Sequence, residues 1–135
     1  MRIGELAEAA GTTTRALRYY ESLGLLPARR TSAGYRDYGP EELRLVEEIR
    51  TLRDSGFGLE ETRPFVECLR SGHPAGDACP ASLEVYRSKL AELDACIARL
   101  TRVRERVAAQ LVRAEGGTAP QPRCELATPT GDEGN

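Results

Sequence analysis

The chain has 135 residues, and its 19 lysines and arginines against 21 aspartates and glutamates give a formal net charge of −2 with the single histidine neutral. This length allows one small domain, or one domain with an appendage. No apolar run approaches the roughly 18 residues that a membrane span requires, and the first residues lack the apolar segment of a secretory signal. We therefore expect a cytoplasmic protein without a membrane partner.

The positive charge is unevenly distributed along the chain. Between residues 9 and 36, five arginines stand against Glu21 alone, which gives this segment a local charge of +4. A local basic face binds nucleic acid whatever the overall isoelectric point of the protein. A solvated surface has the same composition, so charge by itself leaves both interpretations open.

Two short helices are predicted at the N-terminus. The first is indicated by apolar residues at helical spacing: Ile3, Leu6, Ala7 and Ala10. Gly11 ends this helix, and the threonines at positions 12–14 offer N-cap oxygens for a second helix that ends near Leu23. Two short helices separated at a glycine form the helix-turn-helix pattern.

A polar hairpin and two further helices follow. Residues 29–38 form two short polar strands around a turn at Gly34, and we expect this hairpin to project as a wing. Pro40 suits the first position of the next helix. The buried stripe of that helix is supplied by Leu43, Val46, Ile49 and Leu52. One more helix is predicted over residues 59–70, with Pro64 in its first turns.

A long helix is predicted from Pro80 to about Ala114. At 1.5 Å per residue it measures about 50 Å, too long to be buried by so small a chain. Its apolar residues alternate in steps of three and four, which is typical of a coiled-coil seam. The seam residues are Leu83, Tyr86, Leu90, Leu93, Ile97 and Leu100. The seam needs a partner, most simply a second copy of the chain, and packing within the chain is the alternative.

Together these residues resemble the MerR family of bacterial transcription regulators. The segments that carry the resemblance are Ile3-Gly4-Glu5-Leu6-Ala7, Arg18-Tyr19-Tyr20-Glu21, Gly34-Tyr35-Arg36-Asp37-Tyr38 and Gly56-Phe57. The resemblance implies a mainly α fold in which a winged helix-turn-helix domain is joined to a long dimerisation helix. We expect the winged domain at residues 1–70, a hinge loop at 71–79, the dimerisation helix at 80–114 and a mostly disordered tail at 115–135.

The resemblance also implies a function. In that family a homodimer, joined by an antiparallel coiled coil, lies on double-stranded promoter DNA whose recognition elements are too far apart. Effector binding lets the dimer bend and untwist the DNA, so that RNA polymerase engages both elements. The sequence argues against an enzyme, because it has one histidine and no glycine loop that would bind phosphate.

Candidate DNA contacts follow from the position of the second helix. Thr14 and Arg15 at its start should reach base edges in the major groove, where arginine binds guanine through two hydrogen bonds. Phosphate contacts, which fix the register without reading sequence, are predicted for Arg18, Tyr19, Tyr20, Arg30, Tyr35, Arg36 and Arg53. The Tyr20 ring is alternatively a core residue between the helices.

The cysteines suggest a sensor site. The chain has four of them, Cys68, Cys79, Cys96 and Cys124, and no CxxC pair. The layout is closest to the metal- and thiol-responsive branch of the family, in which a cysteine begins the dimerisation helix and further ligands follow that helix. Cys79 and Cys124 take such positions, but Ala114, Glu115 and Ala119 stand where more ligands are expected. Two thiolates do not complete a tetrahedral site but suit a soft ion, with Zn, Hg or Cu as the candidates.

A second set, Cys68, His73 and Cys79, has the spacing C-x4-H-x5-C across the predicted hinge. Because Cys79 precedes a helix N-terminus, its thiolate should be favoured. This set suits either a metal ion or a thiol-reactive or oxidative signal. The alternatives are that Cys68 is a small buried residue, that His73 is solvated, and that Cys96 lies at the edge of the seam or bridges two subunits. A regulator that responds to a small molecule, or to no effector, stays the alternative function.

Overall fold

A computed structural model of the chain describes residues 1–27, 33–34 and 37–118. These residues form helices and connecting turns, without a strand among them. The helical elements are α1 (Ile3–Ala10), α2 (Thr14–Ser22), α3 (Pro40–Asp54), a 3-10 turn (Glu60–Thr62), α4 (Arg63–Arg70) and α5 (Pro80–Thr118). The mainly α fold class is confirmed, whereas most of the predicted wing and most of the predicted tail lie outside the described residues.

The chain divides into two compact units, Met1–Lys89 and Leu90–Asn135. The first unit contains α1 to α4 and residues 80–89 of α5. The second unit is described over residues 90–118, which form the remainder of α5. The first unit therefore extends beyond residue 70, where the sequence placed the end of the winged domain, and it includes the whole of the predicted hinge loop.

Local capping produces the helix-turn-helix. Gly11 has a left-handed backbone conformation (φ 70°) at the end of α1, which residues with side chains rarely adopt. Thr13 begins α2, and its Oγ1 accepts a hydrogen bond of 3.1 Å from the amide of Ala16. Leu6 and Leu17, one from each helix, are fully buried. The prediction of two short helices separated at a glycine is confirmed.

Two arginines from later helices fasten the ends of α1 and α2. Arg50 of α3 donates hydrogen bonds to the carbonyl oxygens of Ala10 and Gly11. Arg63 of α4 donates a hydrogen bond of 2.7 Å to the carbonyl oxygen of Leu23. The last carbonyls of a helix lack intrahelical partners and carry partial negative charge, so cations stabilise them. Both arginines therefore hold the helix-turn-helix against α3 and α4.

The apolar faces of α1 to α4 form the core of the first unit. Of the residues predicted for α3, Val46, Ile49 and Leu52 are buried and Leu43 is half-buried, while Leu45 is an additional buried residue. The other large members of the main cluster are Leu6, Leu17, Tyr20, Leu25, Leu26, Tyr38 and Val66. Because each fully buried large apolar side chain contributes roughly 1.5–3 kcal/mol, this cluster is a main source of stability.

The segment predicted as one helix over residues 59–70 is divided in the structure. A 3-10 turn comes first, and α4 begins only at Arg63. Pro64 lies in the first turn of α4, where its missing N–H is tolerated, but a proline restricts the backbone of the residue before it. The single-helix prediction was therefore wrong for the first residues of this segment.

An aromatic cluster packs the start of α5 into the first unit. The Phe57 ring lies 6.1 Å from the rings of Phe65 and Tyr86, measured between centroids, and the latter two rings are 5.1 Å apart. Tilted and edge-to-face arrangements at such distances are favourable for aromatic pairs. Aromatic partners within the chain cover part of the Tyr86 ring, which is half-buried, and its assignment to the coiled-coil seam stays a prediction.

Lys89 lies beside this cluster and is only 8% exposed. Its Nζ is 3.1 Å from Glu61 Oε1 and 5.4 Å from the centroid of the Phe57 ring. The hydrogen bond from the Gly58 amide, together with Lys89, lowers the pKa of the Glu61 carboxyl. An ammonium group this deeply buried needs such a partner, so the ion pair connects α5 to the 3-10 turn.

Beyond residue 89, α5 continues to Thr118, past the predicted end near residue 114. A glycine within a helix costs only about 1 kcal/mol relative to alanine, which does not stop a long helix. This part of α5 exposes large apolar residues, with exposed fractions between 40% and 67%: Leu90, Leu93, Ile97, Leu100, Val103, Val107, Leu111 and Val112. None of the helices that the structure describes has both the length and the apolar character of a membrane span.

Replacing Lys89 with methionine should lower the free energy of unfolding by about 1–3 kcal/mol, because Glu61 loses a charge-assisted hydrogen bond. Urea unfolding followed by circular dichroism measures the change. Arg87→Met is the matched control, since Arg87 pairs with Glu84 at 2.9 Å on an exposed surface. The control should change the free energy of unfolding by less than about 1 kcal/mol. Equal effects of the two substitutions would contradict a structural role for Lys89.

The same substitution should change the pH dependence of stability. The pKa of Glu61 is lowered in the folded protein, so its contribution is complete above the unfolded value near 4.5 and is lost as the pH falls through the lowered native value. The difference in unfolding free energy between the Lys89→Met variant and the unaltered protein should therefore be largest at neutral pH and smaller in acid.

Candidate functional site

The outer face of α2 carries three of the predicted DNA-binding residues. Arg15, Arg18 and Tyr19 are exposed, the Tyr19 side chain by 56%. Residues three and four apart lie on one face of a helix, so these three side chains form a single basic and aromatic surface, the α2 surface. Thr14 is half-buried at the first position of α2, and Arg53 is exposed in the last turn of α3.

Of the remaining predicted DNA contacts, one is buried in the core and three lie outside the described residues. Tyr20 is 9% exposed and belongs to the core cluster that also contains Leu6 and Leu17. Its assignment as a phosphate contact is corrected, because its position on α2 directs the ring into the apolar interior rather than to the α2 surface. The phosphate contacts predicted for Arg30, Tyr35 and Arg36 fall outside the described residues and stay predictions.

Cys68, His73 and Cys79 come together around the loop between α4 and α5. The Sγ atoms of Cys68 and Cys79 are 2.6 Å apart, and His73 Nδ1 is 3.6 Å from Cys79 Sγ. One ligand atom from each residue lies within 4.8 Å of the others. Cys68 is 2% exposed, Cys79 is half-buried and His73 is exposed. The set with the C-x4-H-x5-C spacing is thus assembled in space, whereas Cys124 lies outside the described residues.

Each member of this cysteine–histidine cluster is positioned by its own backbone contacts. The Cys68 thiol in the last turn of α4 also lies 3.4 Å from the carbonyl oxygen of Ala75. The ring and the amide of His73 face the Cys68 carbonyl oxygen, at 3.2 Å and 3.4 Å respectively. The carbonyl oxygen of Cys79 accepts a hydrogen bond of 3.1 Å from the amide of Ser82. The end of α4, the loop and the start of α5 therefore meet at the cluster.

Side chains outside the predicted sensor residues hold this loop in place. Ser82 is fully buried and donates a hydrogen bond of 2.6 Å to the carbonyl oxygen of Gly76. The hydroxyl of Tyr86 donates to Asp77 Oδ2 at 3.0 Å. A Cβ atom on Gly76 would lie 2.5 Å from Glu48 Oε2 and 3.2 Å from the Cβ atom of Phe65, so a larger residue would have to displace the Glu48 carboxylate. A serine in the first turn of a helix is also typical of a simple capping residue, so the sequence did not reveal its role.

Contact with Cys68 changes the ionisation of Cys79. The pKa of the Cys79 thiol is raised above its ordinary value, first by the hydrogen bond with Cys68, and then by partial burial and by negative charge on the Cys68 sulfur. Like charges in contact disfavour a second ionisation. The prediction that the helix N-terminus favours the Cys79 thiolate is therefore wrong, because the hydrogen bond with Cys68 and partial burial raise the pKa of the Cys79 thiol.

The donor set suits borderline and soft metal ions. Two sulfurs and one imidazole nitrogen are ligand types that zinc and copper accept, and three protein ligands leave a fourth tetrahedral position for another group. No carboxylate belongs to the set, so the set does not match the oxygen ligands of calcium or magnesium. Within the part of the chain that the structure describes, this is the one cluster of at least three potential ligands.

Comparison with known proteins identifies the family. The model described as MerR HTH family regulatory protein matches residues 1–67, and the model described as MerR, DNA binding matches residues 43–110. The HTH-type transcriptional regulator HmrR of Rhizobium leguminosarum bv. viciae is 32% identical over 127 residues, which cover 93% of this chain and 94% of HmrR. The chain belongs to the MerR family. Family membership confirms the resemblance found in the sequence and agrees with a regulator rather than an enzyme.

A further MerR-related protein is considerably longer than this chain. Nodulation protein NolA of Bradyrhizobium elkanii is 40% identical over 107 residues, which cover 78% of this chain but 44% of NolA. This chain therefore spans less than half the length of that curated relative.

Two solved structures show the same MerR architecture. The transcription regulator PbrR691 from Ralstonia metallidurans CH34, in complex with lead(II), matches with a TM-score of 0.66 at 28% identity, covering 95% of this chain and 90% of that one. HiNmlR, a MerR family regulator lacking the sensor domain and bound to promoter DNA, matches with a TM-score of 0.53 at 25% identity over 78% of each chain. The N-terminal helix-turn-helix followed by a long helix is the fold that this chain shares with them.

Proposed function

We propose that this chain is a transcriptional regulator of the MerR type, which binds promoter DNA as a homodimer and responds to a soft metal ion or a thiol-reactive signal through Cys79. The α2 surface is the observation that supports the proposal of DNA binding, because it lies on the second helix of a helix-turn-helix. It consists of Arg15, Arg18 and Tyr19. In this motif the second helix enters the major groove. The promoter-bound structure of HiNmlR supports the proposal.

The individual contacts follow from the placement of side chains on α2. Thr14 and Arg15 at its N-terminal end contact base edges, and a bidentate arginine–guanine pair provides discrimination. Arg18, Tyr19 and Arg53 contact phosphates and set the register of the protein on DNA. The wing contributes the remaining phosphate contacts, Arg30, Tyr35 and Arg36. RNA polymerase is the further partner on the promoter.

The dimer contact is the exposed apolar row of α5, here defined as the residues at positions 90, 93, 97, 100, 103, 107 and 111. These residues recur at steps of three and four, and each is at least 40% exposed. Burying a leucine-sized side chain contributes about 1.5–3 kcal/mol, so a row of this length strongly favours association. A second copy of α5 in an antiparallel coiled coil has a matching row and is the partner that we propose.

The effector site is the cysteine–histidine cluster. A metal ion bound there would replace the contact between the two sulfurs with bonds from Cys68 and Cys79 to the ion, and it would displace the thiol protons. This exchange changes how the loop contacts α4 and α5. The similarity of this chain to heavy metal-dependent transcription regulator 2 of Rhizobium meliloti and to lead-bound PbrR691 supports a metal effector. Zn(II), Hg(II) and Cu(I) match the donor set.

The Arg18→Ala variant should bind promoter DNA more weakly at every sequence tested, because a phosphate contact carries no sequence information. Loss of one phosphate contact in each subunit should reduce the slope of log affinity against log salt concentration by about 2 per dimer. Fluorescence anisotropy titrations at several salt concentrations measure both quantities. Arg87→Ala, an exposed arginine on α5, is the control. An unchanged salt slope for Arg18→Ala would remove Arg18 from the interface.

The Ile97→Asp variant should shift the protein from dimer to monomer, because a carboxylate in the middle of the apolar row loses its hydration when the row is covered. Sedimentation equilibrium measures the mass. Ala95→Asp adds the same charge to an exposed position on another face of the same turn and should leave the dimer intact. Dimers in both variants would show that α5 does not associate through this row.

The reduced 135-residue chain should bind one Zn(II) ion in competition with a chromophoric chelator, and its affinity should rise with pH because the thiols lose protons on binding. Cys68→Ser and Cys79→Ser should each abolish this binding, and Cys96→Ser should leave it unchanged. If Cys124→Ser abolishes binding and Cys68→Ser does not, the ligands are Cys79 and Cys124 instead. If the unaltered protein binds none of Zn(II), Hg(II) and Cu(I), the metal effector is rejected.

A further inference from the structure

The sulfurs of Cys68 and Cys79 are close enough to bond to each other as well as to share an ion. Cys68 and Cys79 are both free thiols, and their Sγ atoms are 2.6 Å apart. The two residues are 11 positions apart in the chain. The fold itself therefore brings the sulfurs together across a short loop, and a bond between them requires no large movement of the backbone.

The backbone on both sides of this sulfur pair is held by hydrogen bonds. The amide of His73 contacts the Cys68 carbonyl oxygen at 3.4 Å, and the amide of Ser82 donates to the Cys79 carbonyl oxygen at 3.1 Å. Between them, the carbonyl oxygen of Gly76 accepts a buried hydrogen bond of 2.6 Å from the Ser82 hydroxyl. The proximity of the sulfurs is therefore a property of the packed loop rather than of two mobile side chains.

The two thiols differ in access. Cys68 is 2% exposed, whereas Cys79 is half-buried at the surface of the loop. A small oxidant reaches Cys79 first, and the buried Cys68 is then the nearest nucleophile. Solvent access to one sulfur and a second, resolving cysteine beside it are two features of thiols that oxidise reversibly.

We propose that Cys68 and Cys79 form a reversible disulfide when a hydroperoxide oxidises the protein, and that this disulfide and a bound metal ion are mutually exclusive states of one site. The exclusion of the metal rests on the proposed function. The disulfide rests only on the positions and access of the two sulfurs.

The oxidation proceeds in two balanced steps. The Cys79 sulfur attacks one oxygen of hydrogen peroxide, so that an S–O bond forms, the O–O bond breaks, and one water leaves with the thiol proton. The Cys68 sulfur then attacks Cys79 Sγ, the S–S bond forms, the S–O bond breaks, and a second water leaves with the Cys68 proton. Two thiols and one peroxide thus give one disulfide and two waters. A dithiol reductant reverses the change by two exchange steps.

Oxidation removes the metal site because a disulfide sulfur is no longer a thiolate. Metal ions bind the deprotonated thiolate, and a disulfide leaves His73 as the sole donor of the cluster. Conversely, sulfurs held by an ion are not available for attack on peroxide. The regulator would therefore bind a metal ion only while Cys68 and Cys79 are reduced. A bound ion would in turn protect the two cysteines from oxidation.

The Cys96→Ser/Cys124→Ser variant of the 135-residue chain tests this proposal, because it retains only the thiols at positions 68 and 79. The reduced variant is treated with hydrogen peroxide, with or without prior Zn(II), and the remaining thiols are counted with a maleimide reagent of high mass. We expect loss of both thiols without Zn(II), recovery with dithiothreitol, and no loss with Zn(II). The oxidised protein should run as a monomer on a non-reducing gel. Peptide mapping of that monomer band should show residues 68 and 79 joined by a disulfide.

Cys68→Ser in the same background should leave Cys79 as a sulfenic acid that a dimedone probe labels. Retention of both thiols after peroxide, or cross-links only between two chains, would overturn the disulfide. If the disulfide forms and the oxidised protein still binds Zn(II), the mutual exclusion is refuted. If the disulfide forms but the reduced protein binds no metal, the proposed metal function fails while the redox pair stands.

Discussion

The packing of the first turns of α5 into the N-terminal unit is the contact on which the rest of the structure depends. Ser82, Tyr86 and Lys89 recur at helical spacing, so one face of α5 carries all three. Ser82 binds the loop at Gly76, Tyr86 enters the aromatic cluster, and Lys89 pairs with Glu61. A single helix face thus fixes the loop, the aromatic cluster and the 3-10 turn together.

The same packing determines what the cysteines do chemically. Because hydrogen bonds hold the loop at Gly76 and at the start of α5, Cys68 and Cys79 stay in contact, and the hydrogen bond between their sulfurs raises the pKa of the Cys79 thiol. Helix α3 contacts this loop and the helix-turn-helix at once. Arg44 donates to the Pro74 carbonyl oxygen at 2.9 Å, and Arg50 donates to the carbonyls that end α1. Helix α3 therefore connects the loop of the cysteine–histidine cluster to the helix-turn-helix through the hydrogen bonds of Arg44 and Arg50.

Local signals in the sequence predicted most of the helices, and long-range contacts explain where those predictions ended. Gly11, Thr13 and Pro40 act within their own turns, so the helices that they delimit were found correctly. Tyr86 has the spacing of a seam residue, yet its ring packs against Phe57 and Phe65, which are 20 or more positions away. Periodicity records only which residues share a helix face. Periodicity does not show whether that face packs against a second copy of the chain or against another part of the same chain.

The sequence by itself determined the helix-turn-helix, the long final helix with its exposed apolar row, and the three residue types of the cysteine–histidine cluster. These features depend on capping, periodicity and composition, which act over a few residues. Tertiary structure alone decided that Cys68 Sγ touches Cys79 Sγ, that Tyr20 is buried, and that Arg50 and Arg63 hold the helix-turn-helix. Those outcomes depend on atoms brought together from distant parts of the chain, because side-chain contacts and pKa shifts follow spatial distance and not sequence separation.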